Sequence, residues 1–311
     1  MKVKAWTGSD EVARVYIAEA EGGRHVEFVE SVEPPWPREK KWVLIVSTLF
    51  GCPGGCRFCD AGGSYDGKLS KDEILFQIDY MIDRRYPGRR VPAEKFKVQL
   101  ARMGEPSLND AVLDVLEILP ERYDAAGLMP ALSTIAPAGR EAFFERLLEI
   151  GRGIYRGRFQ LQFSLHTTDA EKRDWLLPPK KWDFPTIARY GERFFVAGGR
   201  KITLNFALAE GMPLDAAVLF SHFDPEKFLV KLTPVNPTCE ADRSGVRSSI
   251  VKGIEPEAVI TPLRDVGYEV LLSIGELEEN HIGSNCGQFI KSYLDGGADF
   301  KAGYNYTMTE I

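Results

Sequence analysis

The sequence has no apolar run long enough to cross a bilayer, which excludes a helical membrane protein. Its first six residues lack the apolar stretch of a secretory signal peptide. There is no surplus of positive charge: 39 Lys and Arg face 45 Asp and Glu, for a net charge of −6. That balance argues against non-specific nucleic-acid binding but leaves room for a local basic patch. Three such clusters occur: Arg84, Arg85, Arg89 and Arg90; Arg152, Arg156 and Arg158; and Lys180 with Lys181. Cysteine is scarce and odd in number, five in 311 residues, so a disulfide framework is not expected and a reducing cytoplasm is. No internal repeat or low-complexity segment appears. A hydrophobic fraction of 44% is enough to bury a sizeable core.

Three of the five cysteines, Cys52, Cys56 and Cys59, form the pattern C-x3-C-x-aromatic-C directly after the apolar run 42–47. Thiolates are soft ligands suited to iron–sulfur clusters. Three of them can hold a four-iron cluster and leave one iron for a non-protein ligand. A structural zinc site wants four closed ligands, with cysteines in C-x2-C or C-x4-C pairs, and no second pair follows here. The spacing resembles the radical S-adenosylmethionine (SAM) superfamily. That resemblance implies a [4Fe–4S] cluster on Cys52, Cys56 and Cys59, Phe58 packed beside it, and SAM on the fourth iron.

Two alternating runs, 14–18 and 26–30, flank Glu21-Gly22-Gly23 and read as a β-hairpin. The proline-rich stretch 34–37 then breaks the chain. From Trp42 onward, strand patterns at 42–47, 96–101, 128–134, 158–164, 201–208 and 227–233 alternate with helical patterns. The helices are expected near 71–84, 108–119, 140–149, 185–195, 213–222 and 256–266, the first opened by a Ser70/Glu73 capping box. Six successive βα units imply an α/β fold: an open, partial (β/α)6 barrel with an N-terminal hairpin extension. The expected divisions are an extension over 1–40, a barrel over 41–275 and a C-terminal segment over 276–311. Ligands of such sheets gather at the C-terminal strand ends. The cysteine triplet falls there, as do Gly104-Glu105, Ser133, Ser164 and His166, and Asn236. Singly each reads as turn chemistry; their recurrence after successive strands points to one pocket that holds SAM.

Together these motifs resemble the RlmN/Cfr-type ribosomal RNA adenine methyltransferases. The resemblance is carried by GCPGGCRFC (51–59), LSKDEI (69–74), MGEP (103–106), SLH (164–166), LLPPKKW (176–182), NP (236–237), GVRSS (245–249) and CGQ (286–288). It implies that Cys286 accepts a methyl group from one SAM. A second SAM, cleaved to a 5′-deoxyadenosyl radical with an electron from a flavodoxin- or ferredoxin-type donor, activates that methyl for addition to an sp² carbon. Glu27 matches the family's proton-accepting glutamate, with Glu30 as the rival by register. Two departures stand out. Ile45 occupies the place of the family's product-releasing cysteine. The chain also begins almost at the hairpin, without the family's helical RNA-binding domain. Cys239, expected in a loop overhanging the pocket, is a candidate replacement for the missing thiol. RNA, a nucleotide, a peptide or a small metabolite all remain open as substrate, and two other readings stand beside methyl transfer: a radical SAM enzyme of non-methylating chemistry on a small molecule or peptide, and a non-catalytic iron–sulfur protein, against which the Gly104-Glu105, Ser164 and Asn236 pocket argues.

Overall fold

The computed structural model describes residues 1–32, 34–250, 256–275, 277–284, 289–294 and 307–311. In chain order the elements begin with β1 (Lys2–Gly8), β2 (Ala13–Glu19), β3 (His25–Ser31) and β4 (Lys41–Val46). The alternating part follows: α1 (Lys71–Arg85), β5 (Lys95–Leu100), α2 (Ala111–Arg122), β6 (Leu128–Thr134), α3 (Glu141–Ile150), β7 (Gln160–Ser164), α4 (Ala170–Leu176), α5 (Phe184–Phe194), β8 (Ile202–Leu208), α6 (Ala216–Phe220) and β9 (Phe228–Pro234). Then come α7 (Cys239–Ser244), α8 (Glu257–Asp265), β10 (Val270–Leu272), α9 (Leu277–Ile282), α10 (Phe289–Leu294) and β11 (Thr309–Glu310). The class is α/β, with one mostly parallel sheet ordered β10-β9-β8-β7-β6-β5-β4-β3-β2-β1-β11. No helix among the described residues is long and apolar enough to cross a membrane.

Local chemistry sets the element boundaries. Ser70 Oγ accepts from the Glu73 amide while the Glu73 carboxylate accepts from the Ser70 amide, so the expected capping box is formed. Asp169, Asp183 and Asp215 cap the following helices through their carboxylates. Gly22 and Gly23 turn the hairpin at φ of 76° and 72°, a region that side-chain-bearing residues avoid. The hairpin is part of a larger antiparallel unit than its sequence suggests, because β1 pairs with β2 and β11 with β1. β3 pairs antiparallel with β4, and from β4 to β10 every neighbouring pair is parallel.

The two faces of the parallel strands differ. Trp42, Leu44, Phe96, Val98, Leu204 and Phe206 are fully buried on the helix-covered face. Trp42 stacks on Phe96 with ring centroids 5.3 Å apart and meets Tyr86 edge-on. The opposite face carries Ile45, Lys97, Gln99, Gln162, Asn205 and Lys231, most of them only half-buried. One face of these strands is thus core and the other polar, as in a sheet covered by helices on one side only among the described residues.

Candidate functional site

The cysteine triplet lies on the loop after β4, at its C-terminal end. Gly51 takes φ of 74° there, and a Cβ would collide with the Ser64 carbonyl. Only glycine lets the chain pass that point. Cys52, Cys56 and Cys59 are each half-buried and form no disulfide. Gly54 lies between the Cys52 and Cys56 sulfurs, and its amide donates to Cys52 Sγ at 3.4 Å. Burial pushes the Cys52 thiol upward, and the Cys56 thiol well upward. The charges of Cys59, Cys52 and Glu105 add to the Cys56 shift, and that of Lys181 opposes it. Three thiols that sense one another, with a cation close by, fit a group that takes them as thiolates. Among the described residues no three His, Cys, Asp or Glu side chains converge tightly enough for a single metal ion.

The loop is docked on the LLPPKKW segment. The Arg57 amide donates to the Leu176 carbonyl, Arg57 Nε to the Trp175 carbonyl, and the guanidinium stacks on the Trp175 ring. Lys181 Nζ donates to the Leu177 and Pro179 carbonyls and pairs with Asp174 at 2.6 Å. Phe58 is half-buried and meets His166 edge-on at 4.8 Å. His166 holds φ of 65° and is buried, and its Nδ1 accepts from the Ala207 amide. Burial, with the Arg173 charge, lowers its pKa to about 3, so the imidazole is neutral and carries its proton on Nε2.

Gly104 has φ of 97°, and its backbone comes so close to Leu49 that a Cβ would lie 2.5 Å from that side chain. Glu105 is buried, and its carboxylate accepts from Thr134 Oγ1 (2.5 Å), Ser107 Oγ (2.7 Å), the Ile135 amide (3.0 Å) and the Ser107 amide (3.2 Å). Burial raises its pKa against the pull of those donors. Glu105 thus ties the end of β5 to the end of β6. Ser133, one residue before the end of β6, accepts from Gln162 Nε2. Ser164 and Asn236 are half-buried at the ends of β7 and just past β9. Asn205 was not singled out from the sequence. Its Oδ1 is buried with no partner among the described residues. A lone Asn inside the apolar strand ITLNFAL is a poor β-former, and that was the available signal.

Because Glu105 holds four donors, Glu105→Ala is expected to lower both SAM affinity and the melting temperature. Each stranded donor costs about 1–3 kcal/mol. Ser133→Ala removes one bond and should cost less on both counts. Calorimetric titration with SAM alongside thermal melts checks the order; a Glu105→Ala protein equal to wild type in both would refute it.

Glu27 and Glu30 fall on opposite faces of β3. Glu30 lies on the helix-covered side, where Tyr16, Trp42 and Arg85 donate to its carboxylate. Glu27 shares its face with Ile45, since Val29 pairs with Ile45 and side chains alternate along a strand. Glu27 is fully buried, ion-paired with Arg102 at 2.7 Å, and accepts from the Ile290 amide at 2.7 Å. Arg102, equally buried, also donates to the carbonyls of Gly283 and Ser284. Cys286 lies outside the described residues, but the chain on both sides of it is held by this pair.

The placement of Cys239 corrects the sequence expectation. It is not on an open loop: it is the first residue of α7, capped by Thr238. Its amide and that of Glu240 donate to the Asp60 carboxylate, next to Cys59, while Thr238 Oγ1 donates to the Phe58 carbonyl. Asp60 supplies an anion to a helix N-terminus from 180 residues away, a stabilisation that nothing local announces. Cys239 is therefore tied to the cysteine-triplet loop itself.

No protein-family model matches the chain. A probable dual-specificity RNA methyltransferase RlmN from Thermus thermophilus is 29% identical over 258 residues, covering 81% of this chain and 68% of the relative. The corresponding protein of Prochlorococcus marinus is 26% identical over 300 residues, covering 94% and 78%. Among solved structures, a radical SAM methyltransferase from Sphaerobacter thermophilus superposes with a TM-score of 0.70 at 21% identity, over 93% of this chain and 81% of that one.

Proposed function

We infer that this relative of the RlmN radical SAM methyltransferases is itself a radical SAM methylating enzyme. The observation that carries the reading is the three half-buried thiols on the β4 loop, beside Glu105 and Phe58 at the C-terminal strand ends. Cys52, Cys56 and Cys59 would hold a [4Fe–4S] cluster. When bound, that cluster supplies the electron that splits SAM reductively, after reduction by a flavodoxin- or ferredoxin-type donor.

The chain's own groups then bind and orient. Phe58 and the neutral His166 form an uncharged wall beside the thiols. Gly104 lets the backbone pass against Leu49, and Glu105 fixes the curvature of that loop. Ser164 and Asn236 offer hydrogen-bonding groups for the amino acid or ribose part of SAM. We propose Cys286 as the methyl carrier and a nucleobase, in RNA or in a nucleotide, as the acceptor. Glu27 would take the proton released from that carbon, with Arg102 balancing its charge. Cys239, tied to the triplet loop, is the remaining candidate for a thiol in product release.

The parallel strands β4–β9 are read here as an open barrel. Lys97 on β5 senses the charge of Lys231 on β9 more strongly than that of any other residue. In a flat sheet four strand spacings would part them by ~19 Å, beyond the range of exposed charges. An open barrel would bring them together.

The test is made on anaerobically purified protein with its cluster reconstituted. Reduction with SAM should yield 5′-deoxyadenosine, and methyl-deuterated SAM should leave label on the Cys286 peptide by mass spectrometry. Cys286→Ala should keep SAM binding and lose methyl transfer completely. Undiminished transfer by Cys286→Ala would exclude the carrier role.

A further inference from the structure

Two lysines stand side by side in the LLPPKKW segment, and only one reaches solvent. Lys180 is exposed, whereas the Lys181 side chain is 3% exposed. A lysine beside a surface turn normally keeps its ammonium in water. That of Lys181 instead folds back over its own turn, donating to the Leu177 carbonyl at 2.7 Å and the Pro179 carbonyl at 3.3 Å and pairing with Asp174 at 2.6 Å. Three acceptors match the three protons of an ammonium, so the charge is held in one place. Capping the end of α4 accounts for the Leu177 contact, since Leu177 follows the last residue of that helix. It does not account for the burial. The turn that Lys181 closes is the one on which the cysteine loop is docked. The Arg57 amide donates to the Leu176 carbonyl at 3.0 Å. A Cβ on Gly54 would lie 3.3 Å from Cys52 Sγ and 3.8 Å from both Cys56 Sγ and Pro179 Cγ. Cys56 and Phe58 pack on the buried cluster of Ile135, Leu176, Leu177, Ala207 and Val235. The ammonium and the Cys56 sulfur thus lie on the two sides of one packed contact, where charge is screened less than in water.

Of the charges that act most on the Cys56 sulfur, those of Cys59, Cys52 and Glu105 are negative and that of Lys181 is positive. Arg57, next in the chain, turns its guanidinium onto the exposed Trp175 ring. Asp174 does not cancel Lys181 at the sulfur. Its side chain is 77% exposed, so water screens the carboxylate far more than the buried ammonium. A cluster on three thiolates is already rich in negative charge, and reduction adds one electron more. The charge around such a cluster is one of the quantities that set its potential. We propose that Lys181 is a fixed countercharge for the reduced cluster, a positioning residue that acts through Cys56 and raises the potential at which the cluster takes its electron. The step is one electron passing from an external low-potential donor to the cluster; no bond forms or breaks. The proposal rests on the proposed function for the presence of the cluster.

The experiment is an anaerobic redox titration of the whole protein with its cluster reconstituted, the reduced cluster followed by electron paramagnetic resonance. Lys181→Gln keeps hydrogen-bond donors at the turn and loses the charge. Its midpoint should fall by about 59 mV, a tenfold change in the equilibrium of a one-electron couple. Lys181→Arg keeps the charge and should stay with wild type. Asp174→Asn removes the exposed counter-ion and should move the midpoint upward, by less. A role confined to holding the turn would lower the melting temperature of Lys181→Gln and leave its midpoint where it is. An unchanged or raised midpoint in Lys181→Gln therefore overturns the proposal. Should Lys181→Gln fail to fold, Asp174→Asn decides: an upward shift supports the countercharge, and no shift overturns it. Iron content and visible absorbance of the wild type keep the two questions apart. A wild type that takes up no cluster removes the proposed function and this proposal with it, whereas a cluster whose midpoint ignores Lys181 removes this proposal alone.

Discussion

Cys56→Ala is expected to abolish 5′-deoxyadenosine formation while leaving the protein folded. The same holds for Cys52→Ala and Cys59→Ala. Three thiolates are the minimum that keeps one iron of a four-iron cluster open to SAM, so losing one removes the group rather than weakening it. The three side chains are half-buried, and the loop is held by other contacts: the Arg57–Leu176 backbone bond, the Arg57–Trp175 stack, and Asp60 at the N-terminus of α7. The stability cost should therefore stay near 1 kcal/mol, ordinary for one small substitution. Far-ultraviolet circular dichroism reports the fold, visible absorbance the cluster, and chromatography the nucleoside product. Undiminished SAM cleavage by Cys56→Ala would remove the cysteine triplet from the chemistry altogether.

Much of the fold was legible because its local signals agree with one another. The run KWVLIV, the alternation in KFKVQL and the Ser70/Glu73 box each act within a few residues, and β4, β5 and α1 stand where they predict. Motifs after successive strands were read as converging, and the parallel pairing of β4 through β9 puts them at one end. What escaped depends on partners distant in sequence. Lys97 and Lys231 lie in KFKVQL and FLVKLTP, four strands apart in the sheet, and nothing local announces the burial that lowers the Lys97 pKa. Strand β1 was missed because KVKAWTG is short and half-polar, and its place is fixed by pairing with β2. Cys239 was expected on a loop because its helix has one turn and a half, held partly by Asp60 from another segment. Arg102 passed unnoticed between a strand and MGEP, since nothing local says that an arginine there will be buried against Glu27.

That buried pair should dominate the stability of the region around Cys286. Arg102→Met is expected to destabilise the protein by about 3–5 kcal/mol near neutral pH, because it leaves the Glu27 carboxylate buried without its cation. It also frees the carbonyls of Gly283 and Ser284. Glu27→Gln combined with Arg102→Met should recover part of that loss, since a buried neutral amide costs far less than a lone carboxylate. The pH dependence follows from the direction of the shift. Burial raises the Glu27 pKa above the ordinary 4.5, and Arg102 is the strongest group opposing that rise. Removing Arg102 lifts it further. A carboxyl whose folded-state pKa exceeds its unfolded value binds its proton more readily when folded, so stability falls as pH climbs between the two values. The deficit of Arg102→Met should accordingly be full above the raised pKa and shrink as pH drops toward 4.5. The double variant, with no carboxyl there, should lack this dependence. Urea denaturation of wild type, Arg102→Met and the double variant at pH 7.5 and 5.5 measures all of this. An Arg102→Met deficit below about 1 kcal/mol, or one that grows on acidification, would mean that the pair does not anchor the chain on either side of Cys286.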